Sequence, residues 1–235
     1  MKKIVYTQLS SYLSSEGIIN QNQFGFRQNH STYMPISLLY DEITTALNNK
    51  QYCAAIYLDL SKAFDTVNPR ILLNKLHSYG IRNKTLDFFH SYLSDRFQMV
   101  KCNSVSSETS KNMTLGVPQG SILGPLLFLL YINDIQNSSL APKFFLFADD
   151  IALFYTSPTM HDLTTKINNS LPHIAAWLNC NRLTLNVKKS TYQLFSMTST
   201  LHDTDIKING HRLSRSKYAK YLGINIDEDL RWNNK

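Results

Sequence analysis

Stretches whose apolar residues recur at helical spacing alternate along this chain with shorter runs that are apolar throughout, so it reads as helices interleaved with strands. Helices are predicted over about 2–15 and 32–48, twice between 68 and 94, after Ser121, and over about 159–180. Strands are predicted over 53–60, as a pair around 97–115, as a hairpin over 144–155, and near 190–197 and 206–226. The hairpin is the most informative of these. Phe144-Phe145-Leu146-Phe147-Ala148 and Ile151-Ala152-Leu153-Phe154-Tyr155 are apolar runs separated only by Asp149 and Asp150. Two such runs around a short polar tip describe paired strands joined by a tight turn. Carboxylates about 4 Å apart repel by roughly 4 kcal/mol at an effective dielectric near 20, and burial adds to that cost. A bound cation is the natural compensation; without further matches, an ordinary Asp-Asp turn between buried strands is the simpler reading.

A second apolar strand, Cys53-Ala54-Ala55-Ile56-Tyr57-Leu58-Asp59-Leu60, also ends in an acid. Its period of two sets Ile56, Leu58 and Leu60 on one face and Ala55, Tyr57 and Asp59 on the other. If this strand lies beside the hairpin, three carboxylates converge at the sheet surface, a donor set suited to hard divalent cations such as Mg²⁺. Two such ions about 3.5–4 Å apart form the clamp used for in-line phosphoryl transfer. A solitary Asp at a strand end is more often a helix cap or a solvated turn. The third element runs from Thr114 to Ile132, where Gly116, Pro118 and Gly120 mark a tight turn and Ser121 with Pro125 suits the opening of a buried helix. Such an opening offers backbone N–H groups to an anion, and Gln119 is the uncharged polar side chain at the bend.

A net charge of +7 favours polyanionic partners, since phosphate contacts supply most nonspecific affinity for nucleic acid. The charges are scattered, which makes a basic surface and not a basic tail. Cys53, Cys102 and Cys180 are odd in number and lack zinc-ligand spacing, so a reduced, intracellular setting is expected. No apolar run approaches the ~20 residues that a bilayer requires, and no membrane association is expected. With 235 residues, 43% of them hydrophobic, the chain can bury a sizeable core.

Leu58-Asp-Leu-Ser-Lys-Ala-Phe-Asp65, Gly116-Val-Pro-Gln-Gly-Ser-Ile-Leu-Gly-Pro125 and Phe147-Ala-Asp-Asp150, in this order, resemble the three central motifs of reverse transcriptases, in the form found in non-LTR, LINE-type, jockey-like retrotransposons. Gln23-Phe-Gly-Phe-Arg27 with His30-Ser-Thr32 is similar to the family's fingers-to-palm segment, Leu183 to Ser190 to its fourth palm motif, and Lys220 to Asp227 to its primer-gripping hairpin. The resemblance implies an α+β polymerase palm, a ferredoxin-like split βαβ with an antiparallel sheet and helices on one face, plus partial fingers. Partial fingers are expected over 1–52, the palm with inserted fingers elements over 53–227, and the start of a thumb over 228–235.

Roles follow from the resemblance. Asp59 and Asp149 would ligate two Mg²⁺ ions, or Mn²⁺ in their place, with Asp150 assisting and the Leu60 carbonyl completing one shell. Lys62 and Ala63 would cradle the triphosphate through backbone N–H groups. Phe64 would stand under the sugar and exclude a ribose 2′-hydroxyl by clash. Gln119 would line the nucleotide pocket, and Lys189, or Lys188 beside it, would protonate the leaving pyrophosphate. Tyr221, Leu222 and Gly223 would seat the primer end, with Gly223 allowing close backbone approach, and Arg27 would touch template phosphate or simply be solvated. The implied partners are an RNA template, a DNA primer and a deoxynucleoside triphosphate, in the nucleus or a cytoplasmic ribonucleoprotein. An endonuclease is expected in the full-length element and is absent from this sequence, as are the first fingers strands and most of the thumb. The implied activity is RNA-directed DNA polymerisation by two-metal-ion nucleotidyl transfer, expected to be lacking in this chain alone because fingers and thumb are truncated. The alternative is a silent retroelement remnant that at most binds nucleic acid.

Overall fold

The computed structural model describes residues 2–99, 101–102, 105–106, 111–118, 120–197 and 203–230. Gln119 and the last residues of the expected thumb, 231–235, lie outside them. The chain divides into two compact units, Asn20–Ser61 with Asn133–Lys235, and Met1–Ile19 with Lys62–Ile132.

The first unit is built on a five-stranded sheet in the order Ser214–Arg215, Thr191–Phe195, Tyr52–Leu58, Asp150–Ser157, Lys143–Phe147. All neighbours are antiparallel except the short outermost pair of Ser214–Arg215 with Thr191–Phe195. Tyr52–Leu58 is central, and every residue from Cys53 to Leu58 is buried. The face carrying Cys53, Ala55 and Tyr57 packs on the helix Tyr33–Asn48 through Ile36, Leu39, Ile43 and Ala46, and on Ala219, Tyr221 and Ile226 of a hairpin formed by Tyr218–Tyr221 and Ile224–Asp227. The helix Met160–Cys180 serves the other face. Thr159 caps it by accepting from the Asp162 N–H at 3.1 Å, its Leu163, Ile167, Leu171, Ile174 and Leu178 form the buried stripe, and the Tyr155 hydroxyl meets Ser170 Oγ at 2.7 Å.

The α+β, mainly antiparallel architecture agrees with the expected palm, and one expectation about its layers changes. The face of Ala55 and Tyr57 was expected to stay free of helices and to display the acids. It is covered because Cys53, Ala55 and Tyr57 are themselves apolar, and leaving that area in water would cost about 25 cal/mol per Å². Asp59 therefore stands at the end of its strand and not on an open face.

In the second unit the helices are Lys2–Ser15, Ala63–Thr66, Pro69–Ser78, Asn83–Leu93 and Gly124–Ile132, with small two-stranded ladders between Arg96–Gln98 and Lys111–Met113 and between Lys101–Cys102 and Val105–Ser106. The helix Gly124–Ile132 is apolar all round and almost wholly buried. Its last carbonyls are met from outside the helix, Leu130 by the Tyr79 hydroxyl at 3.2 Å and Tyr131 by Lys75 Nζ at 2.7 Å. Its start lies three residues beyond the expected Ser121, whose Oγ accepts from the Gly124 N–H at 3.0 Å as a cap would.

Candidate active site

The register of the central strand decides where the acids meet. Tyr57 pairs with Ala152 and Leu58 with Ile151, so one step further brings Asp59 alongside Asp150, with Asp149 in the adjoining turn. All three lie in one unit. Asp59 and Asp149 are half-buried and Asp150 is exposed at the rim. Burial, then the charge of Asp59, push the Asp149 carboxyl above its ordinary range, against the opposing effect of its own backbone N–H. Burial, then Asp149 and Asp59, do the same to Asp150. Among the described residues no three His, Cys, Asp or Glu side chains are drawn up into a ready metal nest. The three acids are electrostatic neighbours that repel, and their oxygens are the hard donors a divalent cation takes. That combination fits such a cation.

The backbone at Asp59 is fixed from the segment Leu183–Ser190. The Asp59 N–H donates to Ser190 Oγ at 3.1 Å, its carbonyl accepts from Asn186 N–H at 2.8 Å, and the Ser61 N–H donates to the Thr184 carbonyl at 2.8 Å. These last two bonds close a bridge around Leu60 and Leu185 and leave Leu60's own carbonyl outside it. A cavity of ≈ 260 Å³ opens beside the acids, walled by Asp59, Asp150, Lys189, Lys220 and Tyr221 among others. Lys189 is on that wall and Lys188 is not, nor is Asp149.

Tyr221 is buried with its hydroxyl on the Phe145 carbonyl at 3.1 Å and its ring 5.5 Å from that of Tyr57. Leu222 and Gly223, at φ 49° and 87°, are the two residues of the turn that follows. Nothing of the described chain lies within 4 Å of where a Gly223 side chain would begin, so its protein neighbours require glycine only through the left-handed turn. Arg27 turns one guanidinium nitrogen onto the carbonyls of Asn20 and Gln23 at 3.0 and 2.9 Å, and burial lowers its pKa.

The other predicted residues belong to the second unit and are described there alone. Lys62 is exposed with φ 50°, and Ala63 is buried at the start of the short helix Ala63–Thr66. The Phe64 ring stacks on Phe128 with centroids 4.3 Å apart. The glycine-proline turn grips the backbone around it: Val117 N–H donates to the Phe64 carbonyl at 3.0 Å and Gly116 N–H to that of Val67 at 2.7 Å. A Cβ on Gly116 would stand 2.9 Å from the Asp65 carbonyl oxygen, so both its φ of 81° and the lack of space require glycine. Arg96 hydrogen-bonds the Gly116 carbonyl from the far side of the turn.

Two glutamines of the first unit that received no role from the sequence organise it. Gln193, fully buried mid-strand, accepts from the Tyr57 hydroxyl at 2.9 Å and donates to the Ile226 carbonyl at 2.9 Å, which ties the Tyr218–Asp227 hairpin to the sheet. Gln23, also fully buried, bonds the backbone of Ala148. The available signal was a single amide within Thr191-Tyr-Gln-Leu-Phe195, where neighbours demand apolar character.

A family model described as reverse transcriptase (RNA-dependent DNA polymerase) matches residues 1–226. The probable RNA-directed DNA polymerase from transposon BS of Drosophila melanogaster is 32% identical over 97% of this chain and 26% of its own length. The RNA-directed DNA polymerase from mobile element jockey of Drosophila funebris is 30% identical over 94% of this chain and 25% of its own. The chain thus spans about a quarter of the length of these relatives. Among solved structures, telomerase from Candida tropicalis in complex with a fragment of telomeric RNA superposes with a TM-score of 0.65 over 100% of this chain and 36% of its own at 12% identity, a likeness of fold alone.

Proposed function

We propose that this chain, which belongs to the reverse transcriptase (RNA-dependent DNA polymerase) family, carries the palm of an RNA-directed DNA polymerase of a non-LTR retrotransposon. The observation that carries the reading is the convergence of Asp59, Asp149 and Asp150 at one end of the sheet, beside a cavity that Lys189 and Tyr221 also line. Asp59 and Asp149 hold two divalent cations, Mg²⁺ or Mn²⁺, with Asp150 and the Leu60 carbonyl in support. Bound there, the cations supply the positive charge that an attacking primer 3′-oxygen and a departing pyrophosphate require.

The chain's own groups then do the positioning. Lys189 hands a proton to the leaving pyrophosphate, Lys62 and Ala63 offer backbone N–H groups to the triphosphate, and Gln119 lines the nucleotide pocket. Tyr221, Leu222 and Gly223 seat the primer end, and Arg27, whose remaining guanidinium nitrogens keep donor capacity, meets template phosphate. The Phe64 ring, stacked on Phe128 and carried by a backbone whose carbonyl accepts from the Val117 N–H, rejects a ribose 2′-hydroxyl by clash. The substrates are an RNA template, a DNA primer and deoxynucleoside triphosphates, and the setting is intracellular, nuclear or in a cytoplasmic ribonucleoprotein. No described helix is long and apolar enough to cross a membrane.

Primer extension on an RNA template with Mg²⁺ or Mn²⁺, by this chain alone and by this chain grafted in place of the matching segment of the transposon BS polymerase, tests the reading. Incorporation that Asp149→Asn abolishes supports it; incorporation that survives this change contradicts it. Phe64→Ala in the active protein should admit ribonucleotides, and unchanged sugar selectivity would remove that assignment.

A further inference from the structure

Ala148, the residue before the paired acids, has φ 55°. A left-handed conformation costs an alanine about 1–2 kcal/mol, so its surroundings must hold the turn in place. They do so through one side chain. Gln23, with no exposed surface, accepts from the Ala148 N–H at 3.0 Å and reaches the Ala148 carbonyl with its amide nitrogen at 3.4 Å. The same oxygen accepts from the Gly25 N–H at 2.9 Å. Backbone bonds on either side complete the grip, Phe24 N–H to the Leu146 carbonyl at 2.8 Å and Leu146 N–H to that of Asn22 at 2.9 Å. Gly25 has no room for a side chain, because a Cβ would run into the Ala148 amide nitrogen and stand 3.0 Å from the Phe147 carbonyl carbon.

We infer that Gln23 is a positioning residue: its amide, backed by the bare Gly25 backbone, locks the left-handed turn at Ala148 and so aims the Asp149 carboxylate at the cation site. Gln23 touches no reacting atom. A generic core residue would be apolar here, whereas an amide that meets both the N–H and the carbonyl of one strained residue fixes a direction as well as filling space. The inference rests on the proposed cation site, and its test separates the two.

The whole chain is used, as wild type, Gln23→Met, Gln23→Met combined with Ala148→Gly, and Leu163→Ala, a buried substitution in a distant helix. Hydrogen exchange is followed at the Ala148 amide, and Mn²⁺ affinity is measured on the folded protein. Gln23→Met should speed Ala148 exchange and weaken Mn²⁺ binding by about ten-fold each, since a buried backbone donor loses its partner. Adding Ala148→Gly should return part of the affinity, because glycine adopts the turn unaided. Leu163→Ala should lower the melting temperature and leave the affinity in place. Unchanged Ala148 exchange, or an equal loss of affinity in Leu163→Ala, would overturn the inference. Should Gln23→Met not fold, Gln23→Glu keeps the accepting oxygen and loses the donor, and about three-fold changes in the same directions replace the larger ones. If the wild type binds no Mn²⁺, the cation reading fails alone, and Ala148 exchange still decides for or against the lock.

Discussion

Two hairpins of the same unit end in two-residue turns, and the two turns are held in different places. At Ala148-Asp149 an alanine with a Cβ is forced left-handed and is held there by Gln23 and Gly25 from another part of the chain. At Leu222-Gly223 both residues are left-handed, Leu222 with a Cβ as at Ala148, while glycine takes the other position at no steric cost and the space around it is open. The second hairpin is instead held along its flanks, by Gln193 and by the ion pair of Arg215 with Glu228 at 2.8 Å, whose side chains are only 12% and 10% exposed. The turn beside the acids is gripped at its tip by a side chain from elsewhere in the chain; the other is held along its flanks. Both turns carry a left-handed residue with a Cβ, so the difference lies in what grips the tip, and a grip on the residue beside the acids fixes their direction.

The largest way to sharpen this contrast is at the second hairpin's anchor. Glu228 accepts from Arg215 Nε at 2.9 Å and from the Leu194 N–H at 3.1 Å, so Glu228→Ala takes the acceptor from a strand N–H and removes the shorter of two ion pairs of a half-buried guanidinium, that with Asp203 at 3.2 Å being kept. A loss of about 3 kcal/mol or more in urea unfolding is expected, with exchange protection lost first across Tyr218–Asp227. Next in size is the pair of glycines. Gly25→Ala must displace the Ala148 backbone and should cost about 3 kcal/mol, whereas Gly223→Ala meets open space and pays only for its φ of 87°, about 1–2 kcal/mol. Equal costs would dissolve the contrast.

The smallest effect is electrostatic and depends on pH. The folded-state pKa of Asp150 is raised above its unfolded value by burial and by Asp149 and Asp59. The native state therefore binds more protons than the unfolded state between those two values, and stability drawn from this group is lost as pH rises through the folded pKa. In metal-free buffer Asp150→Asn should raise the melting temperature at neutral pH, with the gain shrinking as pH falls through the raised pKa. A pH-independent gain would mean that Asp150 is not charged against its neighbours.

The elements themselves were legible because periodicity reports burial: Ile36, Leu39, Ile43 and Ala46 mark one helix, and the runs flanking Asp149 mark two strands. The acids could be read because carboxylates in apolar runs oppose local preference. The cover over Ala55 and Tyr57 was less visible, since a strand buried on both faces differs little in sequence from one buried on one face when its residues are small. Gln23 gave no signal of its role because its partner, Ala148, is distant in the chain, and hydrogen bonds to a backbone leave no complementary side chain to find. Gly116 could be read as a turn; that it presses on Asp65 required coordinates.

The most direct test of the central claim is anomalous scattering from a crystal of this chain soaked in Mn²⁺. The account predicts manganese bound by oxygens of Asp59 and Asp149 at the tip of the hairpin, and its loss in Asp149→Asn. A fully soaked crystal with no manganese there, and with those carboxylates turned away from one another, would contradict it.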